Sequence, residues 1–153
     1  MNSAGILLFR RGAAGLEILL VHPGGPFWVK RDLGAWSIPK GEIGEDEDAL
    51  AAARRELEEE TGVVAANAAI ELSPRRQAGG KLVLAWAVEG DCDAAAIRSN
   101  TFILEWPPRS GRHARFPEVD RAQWFALDEA RRRILPAQAG FIDELEALLS
   151  PSA

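Results

Sequence analysis

Cysteine is almost missing: Cys92 is the one thiol in 153 residues, so no intramolecular disulfide can form. Without a disulfide framework the expected compartment is cytoplasmic. Cys92 stands between Asp91 and Asp93, which disfavour a reactive thiolate, and reads as a turn residue. Long apolar runs are missing too. The stretch Gly5–Phe9 is too short for a signal core and runs into Arg10 and Arg11. No segment approaches the roughly 20 apolar residues that a membrane-spanning helix needs. Positive charge is in deficit: 18 Lys and Arg face 23 Asp and Glu, for a net charge of −5. Proteins that grip DNA or RNA normally carry the opposite sign, because phosphate neutralisation supplies most of that affinity. A nucleic-acid polymer is therefore disfavoured as a partner. A small phosphorylated ligand is not, provided a metal or a local basic pocket offsets its charge. Histidine is scarce, and His22 and His113 do not stand at metal-ligand spacing.

The remaining composition, 47% hydrophobic and 27% charged, is that of a globular protein, and the length predicts a single domain over residues 1–153. Two apolar runs, Ser3–Phe9 and Leu16–His22, are joined by a hairpin-like Arg-Arg-Gly-Ala-Ala-Gly link. A Gly/Pro-rich loop follows, then Trp36–Pro39, extended because residues before proline avoid the helical region. Glu47–Thr61, rich in Ala, Leu, Glu and Arg, predicts a helix that Gly62 stops. Further apolar runs lie at 68–72, 81–88, 101–106 and 122–127, and the near-continuous run 81–88 predicts a strand covered on both faces. Asp128 is expected to cap a short helix ending before Pro136. In a last helix, Gln138–Leu149, the residues Phe141, Ile142, Leu145, Leu148 and Leu149 share one stripe. This order predicts an α/β (α+β) fold, a mixed sheet with helices on both faces.

Chemistry concentrates in residues 39–63. On a helix turning about 100° per residue, Glu56, Glu59 and Glu60 fall in one sector about 100° wide, and Glu58 points almost oppositely. Leu50, Ala53 and Leu57 form a neighbouring apolar stripe that seats the helix on a sheet. Like charges at these spacings repel. A divalent cation would relieve this, and oxygen ligands suit Mg²⁺ or Mn²⁺ rather than zinc. A Glu-rich run by itself is more often a solvated face. The loop before it shifts the balance: Pro39-Lys40-Gly41 and Gly44 bring exposed backbone to a helix N-terminus, where amides and dipole favour anions.

Gly41, Glu47, Arg55-Glu56-Leu57, Glu59-Glu60 and Gly62-Val63, at fixed spacing over 23 residues, together resemble a complete Nudix box, with all nine constrained positions filled. The flanking strands and helices are similar to that family over nearly the whole chain. The resemblance implies an α/β/α sandwich, Mg²⁺-dependent hydrolysis and substrates built as a nucleoside diphosphate linked to another group. It implies Glu56 and Glu60 as ligands of the principal metal, Glu59 on it or on a second ion, and the Gly41 carbonyl as a further ligand. Arg55 and Glu47 are then supports of the site rather than catalysts. The general base is open between Glu56, Glu105 and Glu118. Glu118 is favoured, as base or extra ligand, because Glu118-Val-Asp-Arg-Ala-Gln-Trp124 resembles the family's placement; a surface loop glutamate is the plain alternative for either.

Lys40 is a candidate phosphate contact. Residues 106–115 gather Arg109, Arg112, Arg115 and His113, and Arg109 and Arg112 could hold distal phosphates, or simply line a solvated loop. His22 reads as packing. Among Phe27, Trp28, Trp36 and Trp106, Trp28 is the first choice to stack on a base, while Trp86 and Trp124 read as core. The opening Ser3–Arg10, the Trp36–Gly41 approach and Glu118 resemble the diadenosine tetraphosphate hydrolase branch, so dinucleoside polyphosphates are the expected substrates. Alternatives are oxidised nucleoside triphosphates, ADP-ribose or nucleotide sugars, or a nucleotide-binding regulator without turnover. The expected partner is a small nucleotide, with no polymer and no membrane, and the chain a monomer or homodimer.

Overall fold

The computed structural model describes residues 2–77 and 79–150. Among them, the strands are β1 (Ser3–Gly12), β2 (Gly15–Pro23), β3 (Lys40–Glu42), β4 (Ala69–Glu71), β5 (Arg75–Arg76), β6 (Leu82–Glu89), β7 (Thr101–Glu105), β8 (His113–Pro117) and β9 (Val119–Ala126). The α-helices are α1 (Ala49–Thr61), α2 (Leu127–Arg133) and α3 (Ala139–Leu149). Seven strands form one mixed sheet in the order β4-β6-β1-β2-β9, with β3 beside β1 and β5 beside β6. The β1–β6 pair is parallel, and β1 is antiparallel to β2 and β3.

Alternation along β1 builds two cores, because successive side chains leave opposite faces of a strand. Ile6 and Leu8 join Leu19, Ala52, Ala53, Leu57 and Val88 beneath α1. Leu7 and Phe9 join Ile18, Leu20, Trp36, Val83, Ala85, Phe125, Phe141, Ile142 and Leu145 beneath α2 and α3. This is an α/β/α sandwich around a mixed sheet, as expected. Strand β6 contributes to both clusters, Val83, Ala85 and Ala87 to one and Val88 to the other, so it is covered on both faces.

Beyond the β1–β2 hairpin the two strands part, and residues 37–42 enter between them. Ser37 bridges to Val21, the Ile6 amide donates to the Pro39 carbonyl (3.1 Å), and Gly5 faces Lys40 in register. Gly5 is needed here: a Cβ would come within 2.6 Å of the Pro39 carbonyl. The wedge delivers Lys40 and Gly41 to the flank of α1.

Four local readings change. Helix α1 starts at Ala49, capped by the Asp48 carboxylate accepting from the Ala51 amide (3.0 Å); Glu47 lies in the loop before it. Gly62 ends it at φ 80°, in the left-handed region open to glycine. Asp128 is not a cap: α2 begins at Leu127 after Ala126, and Asp128 sits in its first turn, paired with Arg131 (3.0 Å). Leu148 is half exposed, so the stripe of α3 narrows to Phe141, Ile142 and Leu145, with Leu149 at its margin. Strand β7 does not join the main sheet: it pairs with β8 in a separate two-stranded arm, and the arginine-rich stretch read as loop forms its turn and returning strand. No helix among the described residues is long and apolar enough to cross a membrane.

Candidate active site

Helix α1 is anchored by Ala53 and Leu57, both fully buried, which fixes the azimuth of its acidic edge; Glu58 is exposed on the far side. Arg55 ties that edge to the preceding loop. Its guanidinium donates to Glu47 (2.8 and 3.0 Å), to Glu56 (3.0 Å), to Glu59 (3.0 Å) and to the Glu42 carbonyl (3.1 Å). Glu47 in turn accepts from the Gly44 amide (2.8 Å), closing the loop on itself. Arg55 and this amide hold the Glu47 carboxyl down at about 2, so it stays ionised. The pair forms a brace that ties the loop before α1 to its acidic edge.

Glu60 stands apart from that brace. One carboxylate oxygen accepts from the Lys40 amide (3.2 Å). Burial, then the charge of Glu56, pushes Glu60 up to about 8, against the pull of Lys40. Burial also pushes Glu56 up, with Glu59 and Glu118 adding to it while Arg55 opposes. Lys40 is pushed down by burial, partly restored by Glu60 and Glu56. Electrostatically, Glu118 thus belongs with Glu56 and Glu60, although α1 and the β8–β9 link lie far apart in the chain.

A divalent cation fits this set. Carboxylates driven toward neutrality by burial and mutual repulsion are what such an ion would re-ionise. A Cβ on Gly41 would overlap the Glu56 carboxylate, so glycine lets the chain pass against that oxygen. Among the described residues no three such side chains converge at ligating distance. The bonds above explain this: Arg55 draws off Glu56 and Glu59, and the Lys40 amide draws off Glu60.

Beside the carboxylates is a cavity of about 230 Å³. Lys40, Glu60 and Glu118 supply its polar wall, and Trp28, Val21, Pro23, Ser37, Ile38, Ala35, Val119 and Leu135 the rest. A wider hollow of about 470 Å³, bordered by Arg11, Asp128, Glu146 and Leu149, lies at the opposite end of β1 and shares no residue with the acidic edge. Of the residues singled out in the sequence, Lys40, Glu60, Glu118 and Trp28 meet in one cavity, with Glu56, Glu59 and Gly41 adjoining. Glu105 does not: its carboxylate accepts from the Arg109 amide (2.8 Å) at the turn of the arm. Arg109 and Arg112 are exposed on that turn, away from the cavity. Trp36 is fully buried, its indole N–H donating to Asp32 (2.9 Å), which removes it as a stacking surface. Trp86 and Trp124 pack at the margin of the α1-side core rather than in its centre. Burial pushes the Cys92 thiol up, in keeping with an unreactive residue.

Two residues given no part in the site by the sequence shape the cavity, His22 through the packing role read for it. His22 is fully buried, its Nε2 donating to the Arg31 carbonyl (2.6 Å) and its Nδ1 facing Asp120 (2.8 Å), so it pins the loop carrying Trp28. Gln138, also fully buried, accepts from the Ile38 amide (3.0 Å) and donates to Ser37 (3.0 Å) and Gln77 (3.1 Å). A lone glutamine before an amphipathic helix gives no sequence signal of that task.

The NUDIX domain model matches residues 1–145. The chain belongs to the Nudix family. The RNA pyrophosphohydrolase of Caulobacter vibrioides is 29% identical over 143 residues, covering 85% of this chain and 81% of that one. Among solved structures, a C. elegans Ap4A hydrolase binary complex aligns with a TM-score of 0.70 at 20% identity, over 97% of this chain and 98% of that one. The NUDIX domain of Shewanella oneidensis NrtR, complexed with ADP ribose, aligns at 0.69 and 20%, over 98% and 88%. At such identities the structural likenesses speak for the fold. Membership places this Nudix chain among pyrophosphohydrolases, hydrolases of phosphoanhydride bonds.

Proposed function

We propose that this Nudix enzyme hydrolyses dinucleoside polyphosphates with Mg²⁺, Mn²⁺ being a possible substitute. The observation that carries the reading is the meeting of Glu60, Glu118, Lys40 and Trp28 in one cavity beside Glu56. Glu56, Glu59 and Glu60, with the Gly41 carbonyl, would hold the metal, which would supply charge neutralisation at the phosphoanhydride oxygens. Glu118 takes the proton as water attacks phosphorus and the bridging P–O bond breaks. It is the base of choice over Glu105, whose carboxylate is spent on the arm turn, and over Glu56, bonded to Arg55. Lys40 orients a phosphate from the same polar wall, Trp28 stacks on the first base, and Arg109 and Arg112 draw in the distal end of the polyanion. Arg55 and Glu47 hold the carboxylate edge in place.

A second reading, pyrophosphate removal from RNA ends, has support in the 29% identity to the Caulobacter protein. The net charge of −5 weighs against a polymer substrate. The test is product release from diadenosine polyphosphates, nucleoside triphosphates including oxidised ones, ADP-ribose, nucleotide sugars and a 5′-triphosphorylated oligoribonucleotide. Each is run with Mg²⁺, with chelator, and with Glu60→Gln. Fastest metal-dependent cleavage of diadenosine tetraphosphate, lost in the variant, bears out the proposal. Nucleotide binding without cleavage of any compound overturns it in favour of a regulator.

A further inference from the structure

The β7–β8 arm and the loop 24–34 run outward together from the catalytic cavity. At the base, the Gly24 amide donates to the Glu118 carbonyl (2.9 Å), and a Cβ on Gly24 would overlap the Pro117 carbonyl. One step out, Gly25 lies against the Phe102 ring. Farther still, Phe27 meets Trp106 edge to face, with centroids 5.3 Å apart and planes at 83°. Trp106 closes the last rung of the arm, its amide donating to the Arg112 carbonyl (2.9 Å). At about 3.3 Å per residue this rung is about 16 Å from the base of the arm. The chain then turns back, the Trp28 amide reaching the Gly25 carbonyl (3.4 Å), so that Trp28 returns to the cavity wall. Adjacent residues thus present two aromatic stations, one inside the cavity and one outside it.

The outer station is open: Phe27 is 61% exposed. The two segments that carry it are basic in sequence. Residues 24–34 and 98–118 hold six lysines and arginines against three carboxylates, in a chain of net charge −5. Exposed aromatic rings carried on basic segments are the surface on which a base at the end of a phosphate chain settles, whatever its sequence.

We propose that Phe27 and Trp106 form a second-base subsite, taking the distal nucleoside of a substrate whose two nucleosides are joined through a polyphosphate. The inference rests on the substrate reading above and assigns its far end. A mononucleotide lacks the group that would occupy this platform.

The test is equilibrium binding of two non-hydrolysable ligands with equal phosphate number, methylene-bridged diadenosine tetraphosphate and methylene-bridged adenosine tetraphosphate. The full chain is compared with Phe27→Ala, Trp106→Leu and Trp106→Phe. The expected result is an affinity preference for the two-base ligand of about 5- to 10-fold, near the low end for stacking one base. It falls toward unity in Phe27→Ala and Trp106→Leu and returns in part in Trp106→Phe. Absence of the preference in the unaltered chain overturns the subsite, as does equal weakening of both ligands in the variants. So does loss of affinity confined to a 5′-triphosphorylated oligoribonucleotide. Turnover of diadenosine tetraphosphate is followed separately. A chain that shows the preference without cleaving keeps the subsite and loses the hydrolase reading.

Discussion

Replacing Glu60 by glutamine is expected to stabilise the metal-free protein while abolishing its metal-dependent turnover. Burial and Glu56 push the Glu60 carboxyl from its usual 4.5 up to about 8. The folded state therefore binds the proton more tightly than the unfolded chain does. Stability from this group is complete below about pH 4.5, declines as pH rises, and is lost above about pH 8. At about 1.4 kcal/mol per unit, full conversion gives about 4 to 5 kcal/mol at pH 8. Water reaching the cavity reduces this to about 2 to 3 kcal/mol. Glutamine keeps the shape and the acceptor for the Lys40 amide but carries no charge. Thermal unfolding in chelator at pH 8 should give the variant a Tm higher by about 5 to 10 °C, for a domain of this size. At pH 5 the gap should shrink to a small residue, because the native glutamate is then protonated. Mg²⁺ should raise the Tm of the parent and do much less for the variant. A variant no more stable than its parent at pH 8 in chelator would refute the reasoning, as would equal stabilisation of both by Mg²⁺.

Gly41→Ala should weaken Mg²⁺ activation by about tenfold or more, since the added Cβ overlaps the Glu56 carboxylate, and a Mg²⁺ titration of activity reads it. Arg55→Met should lower kcat by about 10- to 100-fold, because it releases Glu56 and Glu59 as well as the Glu47 loop. Glu47→Gln, which removes one arm of that brace, should cost less. Gln138→Leu leaves the buried Ile38 amide without a partner and should destabilise the fold by about 1 to 3 kcal/mol in urea unfolding. Trp28→Ala should raise KM severalfold with kcat little changed, the signature of lost uniform binding in steady-state rates.

The acidic edge was legible in the chain because it is local. Glu56, Glu59 and Glu60 lie within five residues, and one helix of fixed pitch with a seated face at Ala53 and Leu57 dictates where they point. Gly62 and the extended Trp36–Pro39 segment were legible for the same reason, as backbone preferences act over neighbouring residues. The two-faced sheet followed from alternation and run length. What the chain did not declare depends on distant partners. Asp128 looked like a cap, but α2 starts one residue earlier, where Leu127 enters the core beneath α3. Thr101–Trp106 has the pattern of a sheet strand, yet it pairs with His113–Pro117 in an arm of its own, since the main sheet ends at β9. That pairing carries Glu105, Arg109 and Arg112 away from the cavity and leaves Glu118 at its wall. His22 and Gln138 bear on the cavity through bonds that include partners 98 and 100 positions away, a separation no periodicity records. The sequence by itself determined the helix and the sector its carboxylates share, because the pitch of one helix sets them, and the class of chemistry through the likeness of residues 41–63 to the Nudix box. Tertiary structure decided that Glu118 and Trp28, favoured in the sequence, line one cavity while Glu105 and Trp36 do not, because only pairing between distant strands sets where those loops lie.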